Sequence, residues 1–394
     1  MISYAEAIRL IEETVTPLGV ERCAFAECAG RILAEPLHVR CAAPRVPVAA
    51  MDGYAVCDGT TRPGEPLTVI GESRAGSGFS GTLAPGRAVR IFTGAPMPDG
   101  ADRCIMQEYA RRDGDQVRFT DGYGPGWHVR AAGSDFAAGD MLLAAGTRLT
   151  PRAMIAAAAA DVASLTVARP ARVAIIGTGD ELAAPGSAHL RADAIPDSVT
   201  YGVSAMVQQA GALAVRRSIG LDDLAALEKE AGEALAEADL VIVTGGASVG
   251  ERDFAKPMFA PHGLEIFFSK VAIKPGKPVW LGRAKETWVL GLPGNPTSAM
   301  VTARLILVPL LARFHGQPLA SVLHWRSLPL ATAMGATGTR ETFVRARWDA
   351  IGLSPLGNQH SGAQHALVEA DWLIRCPPDQ AALDAGTPVT ALPF

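Results

Sequence analysis

RVAIIGTGDEL, residues 172–182, joins a short apolar run to a glycine-punctuated turn that ends in two carboxylates. A β-branched run closed by Gly-x-Gly reads as a buried strand that delivers its carboxyl end to a loop. Reading outward, the same unit repeats. A helix around Tyr201–Gln209 stops at Gly211; strand LAVRRSI (213–219) leads to Asp222 and Asp223, which open a helix reaching about Glu237. Strand DLVIVT (239–244) runs into GGASVG, and a helix from about Asp253 is expected before strand LEIFFSKVAI (264–273). Strand WVLGL (288–292), the turn LPGNP and the long helix PTSAMVTARLILVPLLARF (296–314) complete the unit near His315. Strands separated by helices of this length predict a parallel sheet with right-handed crossovers. Ligands of such sheets lie beyond the carboxyl ends of the strands, so GTGDEL, LDD, TGGASVGERD and LPGNP should gather on one edge.

The flanking sequence has a different texture. Residues 42–140 are broken every few positions by Gly, Pro and Asp between short runs such as LTVI, AVRIF and QVRFT, which predicts an inserted β-rich domain. Thr150-Pro151 pairs an N-cap with proline at the first helical position, and starts an alanine-rich helix to about Val162. Residues 1–41 and 141–170 form an N-terminal helix and linking region, residues 171–317 the α/β domain, and residues 318–394 a small C-terminal β domain with runs such as ETFVRARW. The expected class is therefore α/β plus β, multidomain: a central three-layer α/β domain with a mostly parallel sheet, an inserted β-rich domain, a linking α+β region and a small C-terminal β domain.

Composition limits the partners. Of 394 residues, 48% are hydrophobic and 19% charged, which supplies well-formed cores and argues against disorder. A net charge of −4 provides no whole-molecule field for nucleic acid or membrane, so anion recognition must be local. Six cysteines without a C-x-x-C pair read as reduced thiols, and the expected location is the cytoplasm. MISYAEAIRLIEETV lacks a basic region followed by an apolar run, and MIAAAAADVASLTV is interrupted by Asp161 and Ser164, so no membrane span is expected. The eight histidines form no H-E-x-x-H and no zinc spacing; His360 and His365 read as surface residues.

Each strand-end motif has a functional and a plain reading. GTGDEL lacks the third glycine of a dinucleotide fingerprint, Leu182 standing there, and leaves Asp180 and Glu181 either at a site or merely solvated. TGGASVGERD, with Gly245, Gly246 and Ser248, lets backbone N–H groups converge on a phosphate, or serves close packing. Asp253 follows it as an oxygen ligand suited to magnesium, and Asp222 is either its companion or a helix cap. In VAIKPGKPVW (271–280) two prolines and a glycine hold Lys274 and Lys277 together, with Lys270 nearby. Such a cluster is an anion site or a solvated turn. In LPGNPTSA, Ser298 occupies the first turn of a helix, where it meets an anion or caps the helix.

Taken together, AAMDGYAV, RIFTGAPMPDGAD, GTGDEL, TGGASVGERD, KVAIKPGKP and GLPGNPTSA resemble the molybdopterin molybdenumtransferase family, to which the E domain of gephyrin also belongs. GNQHSG (357–362) extends the likeness into the last domain. The resemblance implies an enzyme of molybdenum cofactor biosynthesis that inserts molybdate into adenylylated molybdopterin and releases AMP, with Mg2+ as cofactor. It implies a molybdate set of Lys274, Lys277, Pro278, Ser298, Arg340 and Ser361, with Pro293 and Pro296 in the adjoining turn. Its catalytic set corresponds to Asp52, Thr93, Asp135, Glu181, Asp222, Asp253, Lys270 and Lys274, of which Glu181, Asp222 and Asp253 are the metal candidates. The family's cleft lies between subunits of a homodimer, and the resemblance also implies transient contact with molybdopterin adenylyltransferase and with molybdoenzyme-maturation proteins.

Two positions depart from the pattern: Val199 stands where the family has asparagine, and Ala49 where it has serine. An apolar side chain cannot make an amide's hydrogen bonds. Two other functions compete. Adenylylation of molybdopterin would need only the α/β unit and would turn over ATP; a non-catalytic pterin-binding carrier or scaffold would bind without reaction.

Overall fold

The computed structural model describes residues 1–245 and 254–394. Helix α1, Tyr4–Thr14, starts at Ser3, whose Oγ accepts from the Glu6 amide at 3.1 Å. Its Tyr4, Ala7 and Ile11 share one face and dock onto the core of the α/β unit. In the linking region Val20–Ala24 pairs antiparallel with Ser164–Ala168. The intervening helix α2, Pro151–Ala159, has the Thr150 cap and the first-turn proline its sequence calls for.

The insertion is a six-stranded sheet in the order Arg103–Met106, Gly53–Val56, Arg87–Ile91, Leu67–Ser73, Gln116–Phe119, Ala110–Asp113. Alternation along Gly53–Val56 buries both faces: Ala55 joins one cluster with Val89 and Cys104, while Tyr54 and Val56 join another with Ile105 and Phe119.

The central sheet runs Leu213–Gly220, Arg172–Thr178, Leu240–Thr244, Thr287–Leu292, Trp280–Ala284, Glu265–Phe268. The first four strands are parallel; Trp280–Ala284 alone runs against them, pairing antiparallel with Thr287–Leu292 on one side and Glu265–Phe268 on the other. Helix α3 (Val199–Gln209) covers one face through Val203 and Val207, against Val173, Ile175 and Ile242. Helix α4 (Leu224–Glu237) covers the other through Leu227 and Ala231, against Ala174, Ile176 and Val243. Strand residues of opposite parity therefore feed opposite layers, as a doubly covered parallel sheet requires.

Two expectations need correction, and one hairpin is not anticipated from the sequence. The stretch 264–273 is not one strand: Glu265–Phe268 ends in the central sheet, and Ile273–Lys274 joins the C-terminal sheet beside Glu341 and Thr342. The hairpin between Trp280–Ala284 and Thr287–Leu292 reverses direction at Lys285 and Glu286, with Lys285 in the left-handed region at φ 54°, so no glycine signals it. A helix from about Asp253 is replaced, within the described residues, by a 3₁₀ helix at Pro257–His262, where two prolines deny the amides an α-helix needs. The expectations for Gly246, Ser248 and Asp253 lie outside the described residues.

The closing helix is continuous but irregular: α5 (Pro296–Thr302), a π-helical turn at Ala303–Leu307, and α6 (Val308–Phe314). Pro309 has no N–H to offer the Leu305 carbonyl one turn back, and that carbonyl accepts instead from Tyr4 Oη at 3.4 Å. Residues 296–314 are long and apolar enough to span a membrane, with a mean hydropathy of 1.4, but 78% of the segment is buried in this core. Beyond it, Arg326–Pro329, Glu341–Asp349, Trp372–Cys376 and Pro388–Pro393 build the C-terminal sheet, with Gly352–Pro355 paired to Glu341–Asp349.

His315 ends the long helix at 3% exposure, its Nε2 accepting from the Ala171 amide at 3.2 Å. Burial, reinforced by Arg148, Arg31 and Arg169, lowers its pKa to about 4. The unfolded chain thus takes up this proton before the folded one, so stability is intact at neutral pH and falls as pH drops from about 6.5 toward 4. Urea unfolding should show about 2–3 kcal/mol lost between pH 7 and 4.5 from this residue. His315→Gln, which keeps an acceptor, should flatten that part of the profile; an unchanged profile would contradict the assignment.

Candidate active site

The carboxyl ends of the parallel strands meet closely. The Gly179 amide donates to the Gly220 carbonyl at 3.3 Å, joining the GTGDEL turn to the strand that leads into LDD. Gly245 lies at φ +96°, and a Cβ there would sit 2.6 Å from the Thr178 carbonyl oxygen. A Cβ on Gly294 would come within 3.2 Å of Gly245 Cα. Only glycine permits backbones this close, which explains the small residues at these strand ends. The Asp222 amide donates to Asp180 Oδ1 at 3.0 Å, and the Glu181 carbonyl accepts from the Ile195 amide at 2.8 Å. Asp180, Glu181 and Asp222 therefore share the edge. Asp223, not Asp222, caps α4, accepting from the Ala226 amide at 2.8 Å. Among the described residues no three His, Cys, Asp or Glu side chains form a metal-ready group.

The basic turn is built against α5. Gly276, at φ +104°, is buried, and a Cβ on it would overlap Thr302 Cγ2. The turn closes by Val271 N to Lys277 O and Val279 N to Gly276 O, both at 3.1 Å. Thr302 Oγ1 in turn donates to the Ser298 carbonyl at 2.7 Å. Ser298 and Thr302, four apart, lie on one helix face, so the lysine turn and Ser298 share that face. Lys274 and Lys277 are exposed, Lys270 and Pro278 half-buried, and none of the three lysines is in an ion pair among the described residues. Two exposed ammonium groups, unpaired among the described residues, on a turn packed against the face of α5 that carries Ser298 make an oxyanion-sized positive spot.

The C-terminal domain closes the other side. Arg340 Nη1 donates to the Ile273 carbonyl at 3.0 Å, next to the turn. Ser361 bridges to the start of α5: its carbonyl accepts from the Thr297 amide at 3.0 Å, and its Oγ from Asn295 Nδ2 at 3.2 Å. Pro293 and Pro296 frame that same turn, Pro296 at the first helical position.

A residue not singled out from sequence holds this corner together. Arg345 is 1% exposed and donates to Thr297 Oγ1 at 2.7 Å, the Asn358 carbonyl at 2.8 Å and Gln359 Oε1 at 3.4 Å. One guanidinium thereby ties the first turn of α5 to the loop that carries Ser361. Burial lowers its pKa, and among the described residues it is in no ion pair with a carboxylate. Its sequence signal was parity: in ETFVRARW it shares the phase of Phe343, on the inward face of the strand.

The insertion contributes a separate corner. Asp52 Oδ1 accepts from both the amide and Oγ1 of Thr93 at 2.8 Å, and these bonds, the backbone one first, hold its carboxyl below the usual range. Such a group contributes stability above its unfolded pKa, which is lost as pH falls through the lower folded value. In a pH titration followed by NMR, the Thr93 amide should report a midpoint below that of exposed aspartates, and the step should vanish in Asp52→Asn; an ordinary midpoint would contradict the contact. Asp135 is exposed, its amide donating to the Ala43 carbonyl at 3.0 Å. Among the described residues no hydrogen bond or ion pair joins Asp52, Thr93 or Asp135 to the strand-end edge.

The geometry can be set beside known proteins. Residues 2–160 match the MoeA N-terminal region (domain I and II), 174–313 a probable molybdopterin binding domain, and 327–394 the MoeA C-terminal region (domain IV). The molybdopterin molybdenumtransferase of Haemophilus influenzae is 32% identical over 397 residues, covering 98% of this chain and 96% of the relative. The chain belongs to the molybdopterin molybdenumtransferase family. Molybdopterin molybdenumtransferase 2 of Mycobacterium tuberculosis is 33% identical, with 98% of each chain covered. A crystal structure of a molybdopterin biosynthesis MoeA protein from Pyrococcus horikoshii aligns at a TM-score of 0.79 and 27% identity, covering 100% of this chain and 99% of that one. The molybdopterin molybdenumtransferase match runs through all three regions, and so do the candidate residues. Asp52, Thr93 and Asp135 fall in the first, Glu181, Asp222, the lysines and Ser298 in the second, and Arg340, Arg345 and Ser361 in the third.

Proposed function

We propose that the chain is a molybdopterin molybdenumtransferase of molybdenum cofactor biosynthesis, which inserts molybdate into adenylylated molybdopterin and releases AMP. The observation that carries this reading is the convergence of the Lys274–Lys277 turn, the start of α5 and the Ser361 loop, next to a carboxylate-bearing strand edge. Molybdate is a tetrahedral dianion; Lys274, Lys277 and Arg340 supply charge, while Ser298, Ser361 and the α5 amides supply hydrogen bonds.

The phosphoanhydride needs a cation, and carboxylate oxygens are the donors Mg2+ prefers. Asp222 and Glu181 on the edge fit that chemistry, with Asp253 as their companion. Mg2+ bound there would neutralise charge on the phosphates as AMP leaves. Glu181 and Asp222 would hold the cation at the strand ends, Gly245 lets the substrate approach backbone amides, and Lys270 and Lys274 orient the molybdate.

The Asp52–Thr93 corner and Asp135 complete the site from the partner subunit of a homodimer, which accounts for their separation from the edge of their own chain. The enzyme works in the cytoplasm, receiving substrate from molybdopterin adenylyltransferase and handing product to molybdoenzyme-maturation proteins through transient contacts. A complementation experiment tests the shared site. Asp52→Ala and Lys274→Ala should each be inactive alone, yet random mixed dimers should regain roughly a quarter of wild-type activity, because half are heterodimers with one intact site of two. No recovery in verified heterodimers would place all residues of a site on one chain.

A further inference from the structure

A cavity of about 300 Å³ lies away from the strand-end edge, where the linking region, α3, the α5–α6 helix and the end of the C-terminal sheet meet. Arg148, Arg304 and His324 line it together with apolar Met206, Val308 and Val322, and among the described residues no acidic side chain does. None of the candidate active-site residues reaches it.

The two arginines are half-buried, and among the described residues they bond only to backbone carbonyls. Arg148 donates to the carbonyls of Gly30 and Ala210 at 3.1 and 2.7 Å, and Arg304 to those of Pro393 and Val322 at 2.8 and 2.9 Å. Arg304 Nη1 is buried with no acceptor, and neither arginine is in an ion pair, among the described residues. Burial lowers the pKa of both. Half-buried charge with no carboxylate within ion-pairing distance favours an incoming anion. In a chain with 40 acidic and 36 basic residues, an acid beside them would have been readily available. The helix is also deformed here: Arg304 lies inside the π-helical turn, a feature found disproportionately at functional sites.

We propose that this cavity binds a small organic anion, its carboxylate or phosphate head set against the Arg148 and Arg304 charges and its apolar body against Met206, Val308 and Val322. The volume is at the lower end of ligand pockets and suits a single-ring molecule. Arg304 follows Ser298 by six residues on one continuous helix, about 9 Å along its axis, so an occupied cavity would brace the helix on which the molybdate site is built.

Benzoate and phenyl phosphate are suitable probes, with benzamide as the uncharged control, in calorimetric titration and thermal-shift measurements on the full chain. Saturable binding of at least one anion with a raised Tm is expected, and none of benzamide. Arg304→Met should weaken the anion at least tenfold. Because Arg304 also anchors Pro393 and Val322, Gln209→Glu provides a second test: Gln209 is exposed on α3 and lines the cavity, so the new carboxylate supplies a built-in anion. It should raise Tm without ligand and weaken the anions at least tenfold. Absence of saturable binding by either anion, equal binding of benzamide, or anion affinity unchanged in Gln209→Glu would overturn the proposal.

Discussion

Gly276→Ala should reduce kcat/KM for molybdate by about 100-fold or more while leaving the protein folded. The alanine Cβ would overlap Thr302 Cγ2, and Thr302 is fully buried in α5, so the helix cannot yield. Overpacking of this kind costs about 1–3 kcal/mol, and holding a non-glycine residue at a φ of +104° adds about as much. The cheaper response is for the turn to swing off the helix, carrying Lys274 and Lys277 with it. Each charge-assisted bond lost to the dianion is worth about 1.5–3 kcal/mol, which gives the 100-fold figure. Turnover as a function of molybdate concentration, with circular dichroism to confirm folding, measures it. Half-saturation within threefold of wild type would show that the turn does not position the anion.

Arg345→Met is the second large effect, and it should act on stability and activity together. Removing the guanidinium leaves buried Thr297 Oγ1 and the Asn358 carbonyl without its donation, while Gln359 Oε1 keeps the backbone amide of residue 345 at 3.1 Å. An unpaired buried group costs about 1–3 kcal/mol, and with the lost tie between α5 and the Ser361 loop about 2–4 kcal/mol is a reasonable total. The loop with Ser361 would then loosen from α5, and molybdate half-saturation should rise at least tenfold. Arg345→Lys should rescue little, since one ammonium cannot span a fork that reaches three acceptors. Wild-type stability in urea together with unchanged molybdate half-saturation for the lysine variant would refute this role.

Legibility from sequence followed the range of the interactions. The three inner parallel strands were readable because each is a short apolar run leading to a glycine turn, and those glycines mark where the backbones of Thr178, Gly245 and Gly294 touch. The hairpin at Lys285 was not, because its turn residues carry no glycine or asparagine and its strands are apolar on both faces. Nor was the break after Phe268, where the chain leaves one sheet for another: the partner of Ile273–Lys274 lies nearly seventy residues on, at Glu341–Thr342. The basic turn was visible because its proline and glycine pattern is local. Arg345 was overlooked beside Arg340 because its value depends on Thr297 and Asn358, one in another domain and one across a loop. The docking of α1 on the α/β core is equally non-local; its amphipathic spacing predicts a buried face but not the surface that receives it.

The central claim is that the clustered lysines, helix start and carboxylate edge form one molybdate-inserting site. Its most direct test supplies the purified protein with adenylylated molybdopterin, molybdate and Mg2+, follows AMP release, and assays the product by activating an apo-molybdoenzyme. Molybdate-dependent AMP release with active cofactor is expected, abolished in Lys274→Ala. Tight pterin binding without AMP release, or release and activation that survive unchanged in Lys274→Ala, would contradict it.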